Sequence, residues 1–186
     1  MSTSVLHELE AEFGESELSL EHELAAEQEF EIERFDPRPP PPGATLLTRF
    51  AFASAVLTAG HRATLRRFAA GLVARMPLPL PSAEHCVVIV LEGHEDEIGD
   101  PQNFGVKGLE RARAVRQELI RNLTAEIRKL PAARGRDVLQ QLNPRLIIAL
   151  TAGPTRPIRS NVTKDGQALN RRVEIRVGFL KCRTIV

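Results

Sequence analysis

The sequence predicts an α+β domain with a mixed sheet in the order β-α-β-α-β-β and helices packed on one side, behind an acidic N-terminal arm. Three observations predict it. Hydrophobic periodicity alternates between the 3.6-residue repeat of a helix and the two-residue repeat of a strand through residues 44–186. One apolar run, CVVIVLEG, is continuous enough to be a central strand covered on both faces. Charge is segregated: residues 1–36 hold twelve acids and one base (net −11), while residues 37–186 hold twelve acids and twenty-four bases (net +12).

Residues 1–36 set Glu among Leu, Phe and Ala with no steady period and nearly one sign of charge. Like charges repel and little apolar surface can be buried, so the arm is expected to be disordered or partly helical. Residues 37–43 contain four consecutive prolines. They predict a stiff polyproline spacer and the domain boundary.

The body occupies residues 44–186. TLLTRFAF reads as its first strand. In TAGHRATLRRFAAGLVARM, the residues Leu65, Phe68, Ala69, Leu72, Val73 and Met76 form the stripe of a core-facing helix. CVVIVLEG is the second strand, and GLERARAVRQELIRNLTAEIRKL is a longer helix that stops before Pro131. A short helix is expected in GRDVLQQL and a third strand in RLIIALTAG. A loop with Pro154, Pro157 and Gly166 follows. In RRVEIRVGFL, Val173, Ile175, Val177 and Phe179 alternate with Arg172, Glu174 and Arg176, which predicts a strand with one face exposed.

Composition excludes several classes. The chain is 42% hydrophobic and 26% charged, ordinary for a globular protein, and has no Trp or Tyr to serve as stacking platforms for sugars or single strands. No segment approaches the ~20 apolar residues of a membrane span, and the first residues lack the basic and apolar regions of a secretory signal. The expected location is therefore cytoplasmic by default, with the cell envelope or exterior reached only by a non-standard route. Arg66, Arg67, Arg75, Arg113, Arg116, Arg121, Arg128 and Lys129 lie on predicted helices as solvated surface. Without interleaved aromatic residues they predict no nucleic-acid partner. Cys86 and Cys182 have no metal-ligand spacing, and two free thiols are expected. His94 sits between acids in EGHED but lacks any HxH or HxxxH partner, so no metal and no cofactor are assigned. No GxSxG, phosphate-binding loop or paired catalytic carboxylate appears, and the body reads as a binding module rather than an enzyme.

Four pieces of the body carry a resemblance. FAFASAVLTAGHRATL, VIVLEGHEDEIGD followed by RARAVRQEL, TAGPTRP, and NRRVEI come in the order of the OmpA-like peptidoglycan-binding domain, and together they resemble that family over about residues 45–180. The resemblance implies the OmpA-like fold. It also implies a non-catalytic partner role: binding the diaminopimelate-containing peptide stem of peptidoglycan. That group is a zwitterion, so it needs an acid for its ammonium and a base for its carboxylate, and the planar fork of arginine suits the latter. The family's acid in GHTD falls on Asp96 and its base in RAxxV on Arg111, fifteen residues apart. Gly93, His94, Asn103, Phe104 and Arg172 are the supporting residues the resemblance implies. This chain departs from the pattern at four points. Glu95 replaces the Thr of GHTD, Phe104 replaces a pocket-lining Asn with Asn103 beside it, Lys107 replaces a Leu, and Gly108 replaces a Ser. Glu97 and Asp100 make the loop more acidic. The alternative reading is a protein-interaction or assembly subunit that keeps the fold without the ligand and docks through its acidic arm.

Overall fold

The computed structural model describes residues 43–76, 85–98 and 101–181. The chain divides into two units, Met1–Pro37 and Arg38–Val186, and the first lies outside the described residues, as do the expected arm and most of the proline spacer.

The elements of the second unit are β1 (Thr45–Leu47), α1 (Ala59–Arg75), β2 (His85–His94), α2 (Val106–Ile127), α3 (Ala132–Gln141), β3 (Ile147–Gly153), α4 (Lys164–Asn170) and β4 (Val173–Lys181), with short 3-10 turns at Pro101–Asn103 and Pro144–Leu146. The sheet runs β1-β4-β2-β3. β2 is parallel to β3 and antiparallel to β4, and β4 is antiparallel to β1. The mixed α+β sheet is the expected one. β2 is central, and Val87, Val88, Ile89, Val90 and Leu91 are all buried, so the apolar run is covered on both faces.

One face of the sheet meets α1 and α2. Leu65, Ala69, Val73 and Met76 of the α1 stripe join Ala112, Val115, Leu119, Leu123 and Ile127 of α2 over Ile89, Leu91, Val173 and Ile175. Full burial of a side chain such as Leu119 contributes about 1.5–3 kcal/mol. Helix α1 starts at Thr58, whose Oγ1 accepts from the His61 N–H at 3.2 Å while His61 Nδ1 accepts from the Thr58 N–H. The opposite ring nitrogen of His61 meets the Thr48 carbonyl at 2.7 Å, and the ring lies 4.3 Å from that of Phe50.

Several expectations are corrected. The first strand ends at Leu47 rather than running through TLLTRFAF. Arg49 and Ala53 take positive φ, and Phe50 turns its N–H to the Arg171 carbonyl, so the backbone leaves the sheet. The loop after β3 contains a helix, α4, capped by Thr163 Oγ1 accepting from the Gly166 N–H at 3.0 Å. Arg172, just before β4, and Glu174 within it are buried rather than exposed, because the segment after β3 passes over them: Arg172 Nη2 donates to the Arg156 carbonyl at 3.0 Å. Cys86 is disulfide-bonded, not a free thiol; the other cysteine, Cys182, lies outside the described residues.

Among the described residues, no helix is long and apolar enough to cross a membrane. Arg116, expected on the outer surface, instead donates through Nε to the Ile147 carbonyl at 2.8 Å and ties α2 to the start of β3.

Candidate functional site

The C-terminal end of β2 meets the N-terminal turn of α2 backbone to backbone. A Cβ on Gly93 would lie 1.8 Å from the Gly108 carbonyl oxygen, and one on Gly108 would lie 2.6 Å from Thr151 Oγ1. Only glycine fits at position 93, where the clash is with backbone, and a side chain at Gly108 would have to displace the Thr151 hydroxyl. The close approach carries Arg111, one turn further along α2, to the mouth of β2, where its Nη1 donates to the His94 carbonyl at 2.9 Å.

Arg111 falls on the inward stripe of α2, between Gly108 and Val115, and is 1% exposed. That position separates it from Arg113, which is exposed. Its Nε donates to the Ser54 carbonyl at 2.9 Å, Nη2 makes a longer contact of 3.5 Å with the Ala51 carbonyl, and the guanidinium carbon sits 5.7 Å from the centre of the Phe50 ring. Burial pulls the Arg111 pKa down, and the neighbouring Glu95 and Asp96 carboxylates oppose the shift.

Asp96 is 4% exposed and accepts from Arg171 Nη1 at 2.5 Å; Arg171 Nε also donates to the Phe50 carbonyl at 2.7 Å. Arg171, not Arg172, therefore reaches the Asp96 side. The sequence carried a signal for this. Glu174 and Arg176 of β4 and the preceding Arg172 lie on the face away from the helices, so by alternation Arg171 shares the side of Val173 and the helices.

Glu95 explains its own departure from the family pattern. Helix α2 begins at Gly105, with φ of 96° and no capping side chain, and has no acid in its first turn. Glu95 Oε1 supplies the missing acceptor from a distance, taking the Gly108 N–H at 2.5 Å while buried.

Of the supporting residues, Gly93 serves the close approach, Asn103 lies exposed in the 3-10 turn, and Phe104 beside it is half-buried. His94 and Arg172 belong to a second cluster on the other face of the sheet. There Arg172 pairs with Glu174 at 2.6 Å, Arg156 pairs with Glu92 at 2.9 Å, and Arg176 also pairs with Glu92. His94 Nε2 lies 3.4 Å from Glu174 and 3.9 Å from Glu92, and neither ring nitrogen is hydrogen-bonded among the described residues. Burial first, then Arg172 and Arg156, push its pKa down to about 3, so the ring is neutral. Glu92, His94 and Glu174 hold ligand-type atoms within 4.8 Å of one another. The two carboxylates are outnumbered by three guanidiniums, and that charge balance opposes a cation.

No protein-family model matches the chain, and no curated protein matches it. Among solved structures it is similar to the C-terminal domain of Helicobacter pylori MotB, at 19% identity over 72% of this chain and 84% of that one, with a TM-score of 0.51. It is also similar to the peptidoglycan-associated lipoprotein from Burkholderia pseudomallei, at 20% identity over 70% of this chain and 88% of that one, with a TM-score of 0.48. A third is the cell wall anchor of the T6SS from Pseudomonas aeruginosa, at 22% identity, with coverages of 75% and 81% and a TM-score of 0.46. The MotB likeness shows the fold: the body has the OmpA-like architecture that its motifs resemble.

Proposed function

We propose that the chain is a non-catalytic cell-wall binding module whose residues at the end of β2 take the diaminopimelate-containing peptide stem of peptidoglycan. The observation that supports this most is the convergence of Asp96, Arg111 and Arg171 on that strand end, an acid and two bases held by a close backbone approach that only glycine allows at position 93. In this reading the ligand's ammonium takes the place of Arg171 at Asp96. Its carboxyl oxygen takes the place of the Ala51 and Ser54 carbonyls at the Arg111 fork. The disulfide at Cys86 fits an oxidising compartment, where the cell wall lies, better than the cytoplasm.

Co-sedimentation of the full chain with purified sacculi tests the reading, with soluble diaminopimelate as competitor. Retention that diaminopimelate abolishes is the expected result, and Asp96→Ala should lose it while keeping a cooperative melt. Losing one side of such a charge pair costs about 2–5 kcal/mol, enough to abolish micromolar binding. One observation favours the alternative of an assembly subunit without this ligand: Arg111 and Asp96 are already satisfied within the chain. Absence of retention would decide for that alternative.

A further inference from the structure

Two carboxylates and two guanidiniums meet at the end of β2: Glu95, Asp96, Arg111 and Arg171. The charges cancel before any ligand arrives. Glu95 fills the anion position at the start of α2, since its Oε1 already takes the Gly108 N–H. The other groups around Arg111 are also acceptors: the carbonyls of Ala51, Ser54 and His94. A site so rich in acceptors, with its helix terminus occupied by its own carboxylate, suits a ligand that brings donors. A ligand carboxylate would be the third, facing Glu95 and Asp96 in a buried setting, where like charges repel far more strongly than in water.

We propose that Glu95 is a specificity-determining residue that turns this site toward stems whose diaminopimelate carries a carboxamide in place of its free carboxylate. The inference rests on the peptidoglycan reading above. The amidated group keeps the ammonium for Asp96. It keeps a carbonyl oxygen for the Arg111 fork. Its NH2 adds two donors for the surrounding carbonyls and carboxylates. Burial of Arg111 beside Glu95 agrees with this, because Glu95 is the carboxylate that most offsets the loss of solvation at that guanidinium.

Titration calorimetry of the full chain tests the proposal. The probes are two synthetic tripeptides, L-Ala-γ-D-Glu-diaminopimelate with the side-chain carboxylate either free or amidated. Wild type should bind the amidated peptide at least about tenfold more tightly, the effect of one nearby like charge partly screened. Glu95→Gln keeps an acceptor for the Gly108 N–H but removes the charge, so it should bring the two affinities together by strengthening the free acid. Glu95→Thr should do the same. Equal binding of both peptides by wild type, or an unchanged ratio in a folded Glu95→Gln, overturns the role of Glu95 and leaves the peptidoglycan reading standing. Binding of neither peptide overturns that reading, and this one with it. If both variants lose their cooperative melt, the wild-type ratio alone decides.

Discussion

At the scale of single residues, position on a face decides role. Arg111 and Arg113 are two residues apart on α2, yet one is buried at the strand mouth and the other is solvated. Arg171 and Arg172 are adjacent, yet one holds Asp96 on the helix side while the other holds Glu174 beneath the Arg156 segment. His94 shows the energetic consequence of such placement. Its backbone carbonyl serves Arg111, while its ring faces Glu92, Glu174, Arg156 and Arg172. The folded ring titrates at about 3 against an ordinary value of 6.5, so the unfolded chain binds the extra proton between those values. Its stability contribution is therefore whole above pH 6.5 and declines as the pH falls toward 3, by at most about 1.4 kcal/mol per pH unit. Thermal melts at pH 7 and pH 4.5 measure this. Wild type should lose more stability across that interval than His94→Gln, which has no proton to gain. Parallel losses in the two proteins would show that His94 does not contribute.

At the scale of elements, the long periodic segments were legible and the short irregular ones were not. The apolar stripes of α1 and α2 and the unbroken run of β2 announce themselves, because burial over several turns needs a repeated pattern. The segment from Thr48 to Thr58 carries strand-like residues, but its conformation is set by distant partners: Arg111 and Arg171 hold the carbonyls of Phe50, Ala51 and Ser54. No local pattern records such contacts. Helix α4 was hidden by its length and by the glycine within it. That glycine is required, since a Cβ on Gly166 would lie 2.0 Å from the Ser160 carbonyl oxygen. The same segment depends on Asn170, which is fully buried. Its Oδ1 accepts from the N–H groups of Ile158 and Arg159, and its Nδ2 donates to the Arg159 carbonyl and to Asn161 Oδ1. Asn170→Ala should leave those groups without partners at a cost of about 2–4 kcal/mol. Amide exchange at Ile158 and Arg159 should quicken before that of β2. Unchanged protection there would mean that the segment after β3 is held by Arg156 and Arg172 instead.

At the scale of the whole molecule, the sheet places the chemistry and the cysteine chemistry bears on where the molecule works. The motifs implied Asp96 and Arg111, and both lie at the end of β2, but adjacency of Arg171 and Arg172 concealed which of the two reaches Asp96. The expectation of free thiols failed because it was inferred from the first residues of the chain, not from the sheet. The register that pairs Cys86 with Leu180 brings the start of β2 beside the end of β4, two residues before Cys182 in sequence. Cys86 is disulfide-bonded, and the chain's other cysteine, Cys182, stands roughly 95 residues further along the sequence. A bond that closes a loop of such length removes much of the unfolded chain's freedom and contributes about 2–4 kcal/mol. In a chain of this size each kcal/mol moves the melting temperature by about 2–4 °C. Reduction with dithiothreitol should therefore lower the melting temperature by roughly 5–15 °C. Protein isolated under thiol-trapping conditions should carry no alkylated cysteine, whereas the reduced protein should carry two. Two alkylated cysteines in the untreated sample would show that the bond does not form where the protein resides. That result would remove the support the bond lends to an oxidising compartment, while leaving sacculus binding to be judged by its own measurement.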